Sequence, residues 1–162
     1  RVRRQMQDNL ALNHIQNVEV FDFALSDKEE RLPFYASGES NLGASSFAKE
    51  HGKQSVYLGD MQLRVGDAVL QSLGVSHIDV LKVDVEGFER PVLQGLRETV
   101  RHSRPLMVVE FTETTRRDVG NVDMFRSLFP EDYGFYYFGK GDANSGQYRL
   151  ESYSYGMVPH IE

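Results

Sequence analysis

The stretch from Ile78 to Glu89, Ile-Asp-Val-Leu-Lys-Val-Asp-Val-Glu-Gly-Phe-Glu, constrains this chain more than any other. It opens as a branched apolar run (Ile78, Val80, Leu81, Val83), breaks at Gly87, and passes through Pro91 into helical spacing at Val92, Leu93, Leu96 and Val100. Such a change of pattern across a glycine predicts a buried strand that turns into a helix. Three acids, Asp84, Glu86 and Glu89, fall in the turn. In an open α/β sheet the turns at the carboxyl ends of strands face the ligand crevice, so these acids stand where chemistry is commonly done.

The flanking segments supply the rest of an α/β domain. Val2, Met6 and Leu10 recur every four residues, which predicts a short amphipathic helix ending near Asn13 and His14. Val18 to Leu25 predicts a strand, and Ser26 to Glu30 a polar turn. Leu32 to Ala36, Ser55 to Leu58 and Met61 to Val65 predict small strands or a hairpin. Residues 37–53 between them predict a loop, long enough to serve as a lid.

Asp67 is expected to cap a helix through Ala68, Val69 and Leu73 that stops at Gly74. Pro105 to Phe111 predicts a second buried strand with Glu110 near its carboxyl end, and Met124, Phe125, Leu128 and Phe129 mark a helix that ends at Pro130. Tyr133 to Phe138 and Tyr148 to Tyr155 predict a terminal antiparallel hairpin. Alternating strands and helices, with no internal repeat and no linker, predict one domain over residues 1–162 with a mostly parallel sheet.

Composition narrows the function. Eighteen basic residues against 24 acidic ones give a charge of −6 with no basic stripe, which argues against a nucleic-acid surface. The absence of cysteine removes thiolate nucleophiles and cysteine zinc sites, and the five histidines show no metal spacing. His51, in the expected lid, is the histidine to test as a general base. No apolar run reaches the roughly 18 residues that a membrane span requires, so no membrane partner and a cytoplasmic location are the expectations.

Several blocks carry a resemblance. Asn9-Leu10-Ala11-Leu12-Asn13, Asn17-Val18 with Ala24-Leu25-Ser26-Asp27, the Ile78 to Glu89 stretch with Leu93 and Gly95, and Arg104-Pro105 with Glu110 resemble the FkbM family of S-adenosylmethionine-dependent methyltransferases. Asn41 to Phe47 resembles the segment that family carries between these blocks. The resemblance implies a Rossmann-like methyltransferase sheet, S-adenosylmethionine as cofactor, and methyl transfer to a hydroxyl oxygen of a small natural product or sugar. It further implies that Ala24 and Leu25 border the adenine, and that Asp84, with Glu86, lies beside the cofactor's methyl group.

Members of that family begin with a strand ending in an Asp-x-Gly-rich loop, then a helix and a strand ending in an acid for the ribose. None of these occurs in this sequence. The expectation is therefore a sheet lacking its first strands, a natural protein extending upstream of Arg1, and weak cofactor binding by the chain alone.

For the chemistry, Asp84 first and Glu86 second are candidates to take a proton from an acceptor hydroxyl. Asp84 and Glu86 could instead cap the following helix, with Glu89 as an acid of its first turn. Glu110 could touch substrate or merely finish its strand, and Asn41, Ser45 and Ser46 are candidate acceptor-binding residues on the long loop that could equally be ordinary loop formers. Two other classes stay open: Mg²⁺-dependent phosphoryl transfer or hydrolysis on Asp84, Glu86 and Glu110, though without a phosphate-cradling loop, and a non-catalytic interaction module. A small-molecule acceptor is the expected partner, and no metal is assigned.

Overall fold

A computed structural model describes residues 2–37, 45–47, 55–142 and 147–154. The chain opens with helix α1 (Val2–Leu12), none of whose residues is buried. A four-stranded sheet follows, made of β1 (Ala24–Ser26), β2 (Glu30–Ser37), β3 (Ser45–Ser46) and β4 (Ser55–Val65) in the order β1-β4-β2-β3. β1 runs parallel to β4, whereas β2 is antiparallel to both β4 and β3.

Helix α2 (Gly66–Ser72) leads to a second, two-stranded parallel sheet of β5 (Val80–Val83) and β6 (Leu106–Val109). Between these strands lie α3 (Glu89–Gly95) and α4 (Arg97–Ser103), a helical crossover of the kind parallel pairing requires. Helices α5 (Glu113–Val119) and α6 (Val122–Ser127) and the antiparallel hairpin β7 (Tyr136–Asp142) and β8 (Gln147–Ser152) complete the fold.

The domain is thus α/β and carries the expected terminal hairpin, but its pairing is mixed rather than mostly parallel. Among the described residues β2 and β4 form the longest ladder, and it is antiparallel. The two pieces expected at Ser55 to Leu58 and Met61 to Val65 are one strand, which bends through Gly59 at φ 120° opposite a register shift at Phe34 and Tyr35. Of the strand expected at Val18 to Leu25, only Ala24 and Leu25, continued by Ser26, form a ladder among the described residues, with Leu63 to Val65. Within residues 37–53, expected as loop, Ser45–Ser46 is a short strand on β2; residues 38–44 and 48–54, with Asn41 and His51, lie outside the described residues.

Packing follows the apolar periodicity. Val83 of β5, Val92, Leu93 and Leu96 of the crossover, Val100 of α4, and Val119, Phe125 and Leu128 beyond form the core. Leu81, Met107 and Val109 pack against it, while on the alternate positions Val80 is 62% and Leu106 69% exposed. One helix expected over Val92 to Val100 is divided at Leu96, just after Gly95.

Gly95 is required there, because a Cβ at that position would overlap the Ser26 carbonyl oxygen of β1. Asp67 does cap a helix, but not its own. Its carboxylate accepts from the Glu98 and Thr99 N–H groups at 3.0 and 2.9 Å, at the start of α4, which has no side-chain cap from Leu96.

Gly95→Ala is expected to destabilise the domain by about 1–3 kcal/mol or more through overpacking against backbone. Asp67→Ala is expected to cost about 0.5–2 kcal/mol through the lost cap. Chemical denaturation of both variants checks this, and wild-type stability in Gly95→Ala would mean that α3 and β1 do not touch.

Candidate active site

β5 and β6 run parallel in register, Val83 beside Val109, and the Glu110 N–H donates to the Val83 carbonyl at 2.8 Å. Asp84 and Glu110 therefore leave the carboxyl ends of adjacent strands side by side. The β5 chain then reverses through Glu86 at φ 52° and Gly87 at φ 93°. A non-glycine residue in the left-handed region costs on the order of 1–2 kcal/mol, so this turn needs outside support. One carboxylate oxygen from each of Asp84, Glu86 and Glu110 lies within 4.8 Å of the others, with Glu86 half-buried and the other two exposed.

The three acids are not equivalent. The Lys82 ammonium donates to Asp84 and holds its carboxyl below the ordinary value, with a hydrogen bond from Glu110 in the same direction. Glu110 is pushed up, first by desolvation and then by the charges of Asp84 and Glu86. The pair separates into an acid that stays charged and one that keeps its proton to higher pH.

Support for the turn comes from Glu89, which is fully buried at 0% exposure. Its Oε1 accepts from the Val85 N–H at 3.3 Å and the Gly87 N–H at 3.1 Å, and its Oε2 accepts from the Thr115 hydroxyl at 2.6 Å. Thr115, itself 1% exposed, belongs to α5, whose N-cap Thr112 stands two residues after Glu110. Against the same turn lies β3: the Ser46 hydroxyl donates to the Glu86 carbonyl at 2.9 Å, and the Phe47 ring stacks between Phe34 and Phe88 at 5.0 and 4.7 Å.

Of the residues singled out from sequence, Asp84, Glu86, Glu110 and Ser46 come together at this turn. Ser45 sits one position away on β3, paired with Ala36. Ala24 and Leu25 lie on β1, in the other sheet. Two surface cavities, about 340 Å³ along α1 and about 380 Å³ beside Asp22, Arg31 and Arg64, are lined by no residue of the acidic turn.

Glu89 was legible as a first-turn acid but not as a buried bridge, although a signal existed. It occupies the same helix face as Val92, Leu93 and Leu96, and an acid on an apolar stripe is a buried acid. Thr115 and the whole of α5 escaped because that helix buries a threonine where a hydrocarbon would have completed the period.

The family described as "Methyltransferase FkbM domain" matches residues 1–137. The chain belongs to the FkbM methyltransferase family. It is also 29% identical, over an alignment of 128 residues covering 59% of the chain, to a protein named AMB antimetabolite synthetase AmbE from Pseudomonas aeruginosa. The chain spans about 6% of the length of that relative. No solved structure matches this FkbM chain. Among the described residues, no helix is long and apolar enough to cross a membrane.

The acid pair makes stability depend on pH in a definite sense. Because the Glu110 pKa is raised, the fold prefers its protonated form; that contribution is complete below the ordinary carboxylate range and is lost as pH rises through the raised value. Asp84, whose pKa is lowered, contributes above its ordinary value and loses that contribution as pH falls through the depressed one. Glu110→Gln is therefore expected to raise the melting temperature at pH 7 and to leave it unchanged at pH 4. An equal gain at both pH values would show that Glu110 feels no neighbouring charge.

Proposed function

We propose that this FkbM domain performs S-adenosylmethionine-dependent methyl transfer to a hydroxyl oxygen of a small natural product or sugar, on a Rossmann-like scaffold. The observation that carries this is the convergence of Asp84, Glu86 and Glu110 at the carboxyl ends of two parallel strands, in a chain that belongs to a methyltransferase family. The cofactor supplies an electrophilic methyl group on a positively charged sulfur, and the donor set suits that charge. Asp84 and Glu86 would hold the charged end.

The chain's own residues then divide the remaining work. Glu110, whose pKa is raised, is the better proton acceptor for a hydroxyl, while Asp84 is committed to Lys82. This departs from the sequence-based expectation, which ranks Asp84 first and Glu86 second as base and gives Glu110 at most a substrate contact. Most of the acceleration comes from holding the acceptor oxygen in line; Ser46, tied to the turn, and Ser45 beside it on β3 are taken as the acceptor-binding side, with Asn41 added on the family resemblance alone. Ala24 and Leu25 are taken as adenine neighbours on the family resemblance alone, the compartment as cytoplasmic, and the partner as a small molecule. Similarity to an antimetabolite synthetase supports a natural-product acceptor.

In the protein purified from its own source, labelled methyl from S-adenosylmethionine should enter the small-molecule fraction of a cell extract. Glu110→Gln should lower that rate by roughly 10²- to 10⁴-fold, the usual contribution of a general base. An unchanged rate removes Glu110 from the chemistry, and no transfer by the wild type removes the function.

A second reading rests on the same cluster: three carboxylates within 4.8 Å can hold a divalent cation for hydrolysis or phosphoryl transfer. Thermal protection by Mg²⁺ without protection by S-adenosylhomocysteine would favour it.

A further inference from the structure

The two acid-bearing turns belong to different parts of the sequence. One, Asp84 to Phe88, joins β5 to α3, and the other, Glu110 to Thr112, joins β6 to α5. Their carboxylates repel one another, the first turn contains a left-handed glutamate, and Asp84 and Glu110 are exposed. The β5–β6 ladder holds the start of both turns through the Glu110 N–H on the Val83 carbonyl, and Ser46 holds the Glu86 carbonyl; beyond these ties the turns are joined beneath the acids.

They are joined through Glu89. Two N–H groups of the first turn converge on one carboxylate oxygen, and a hydroxyl from the first helical turn after the second converges on the other. The donors form an ordered chain. Thr115 gives its hydroxyl hydrogen to Glu89, so the 3.1 Å contact between the two threonine hydroxyls is filled by the Thr112 hydrogen, while the Thr115 N–H donates to the Thr112 oxygen. All three partners of Glu89 donate, so it acts purely as an acceptor. Gly87 completes the junction: a Cβ there would stand 2.7 Å from the Thr114 methyl carbon, so the turn lies directly on α5.

We propose that Glu89 and Thr115 are positioning residues that fix the spacing of Asp84 and Glu86 relative to Glu110 for the reaction. The role rests on the proposed methyl transfer for its purpose but on the geometry alone for its existence. Both side chains are buried and act through the turns and helix they bond to.

The test is amide hydrogen exchange by NMR on the whole chain, comparing wild type, Thr115→Val, Thr115→Ser and Glu89→Gln. Val85 and Gly87 report the junction, and Leu96 and Val100, whose N–H groups bond within the helices, report global opening. Thr115→Val should speed exchange at Val85 and Gly87 at least tenfold, leave Leu96 and Val100 within twofold, and abolish the cross-relaxation peak between the Gly87 amide and the Thr114 methyl. Thr115→Ser, which keeps the hydroxyl, and Glu89→Gln, whose amide oxygen and nitrogen can serve both sides, should restore Val85 and Gly87 to within about threefold of wild type.

Uniform acceleration at all four amides in Thr115→Val would mean that the pair only stabilises the fold, and no change at Val85 and Gly87 would mean that it holds nothing. Calorimetry with S-adenosylhomocysteine on the wild-type protein from its own source separates the other failure. Absence of binding there sinks the methyl-transfer purpose, whatever the exchange rates show.

Discussion

A side chain with no exposure, Glu89, bridges the two turns that carry the acids of the candidate site. Burying a carboxyl group in a protein interior is costly unless donors meet it, and here two amides meet one oxygen and a hydroxyl the other. The gain is positional more than energetic. Removing the acceptor would strand one buried hydroxyl, at about 1–3 kcal/mol, and two half-buried amides. The arrangement therefore tolerates little change, and it holds a left-handed glutamate and two neighbouring acids in one place.

Around that junction the fold is a set of close approaches between the crossover helices and the sheets. Gly95 lets α3 lie on the end of β1, Asp67 of α2 caps α4, and the β5 side chains Leu81 and Val83 enter a core shared with α3, α4, α5 and α6. The first four strands are thus coupled to the site through α3 rather than through a shared ladder. Phe47, between Phe34 and Phe88, gives a second path from the mixed sheet to the acidic turn.

What could be read from sequence was whatever local periodicity and local glycine dictate. The strand, acidic turn and helix from Ile78 to Val100 were legible because the pattern changes at Gly87, and the terminal hairpin was legible because its aromatic runs flank a glycine-rich loop. What depended on partners distant in sequence was not. Asp67 looked like the cap of its own helix because nothing local reveals α4; Val18 to Phe23 looked like strand although only Ala24–Ser26 finds a ladder. The antiparallel pairing of β2 with β4 agrees with the hairpin alternative, but the unity of β4 was hidden by Gly59, which divides one strand into what reads as two. The clustering of the three acids follows from the two strand ends that the sequence marked, but their different electrostatics do not, since these are set by Lys82 beside Asp84 and, for Glu110, by desolvation and then the neighbouring charges.

The most direct measurement of the central claim, that the turns after β5 and β6 form one site for a methyl donor, is an amide chemical-shift map on titrating S-adenosylhomocysteine into the isotopically labelled protein from its own source. The account predicts the largest shifts at Asp84 to Gly87 together with Glu110 and Phe111, moving with one shared dissociation constant. Shifts confined to α1 or to the surface beside Arg31 and Arg64, or shifts at the two turns that appear with Mg²⁺ and not with S-adenosylhomocysteine, would contradict it.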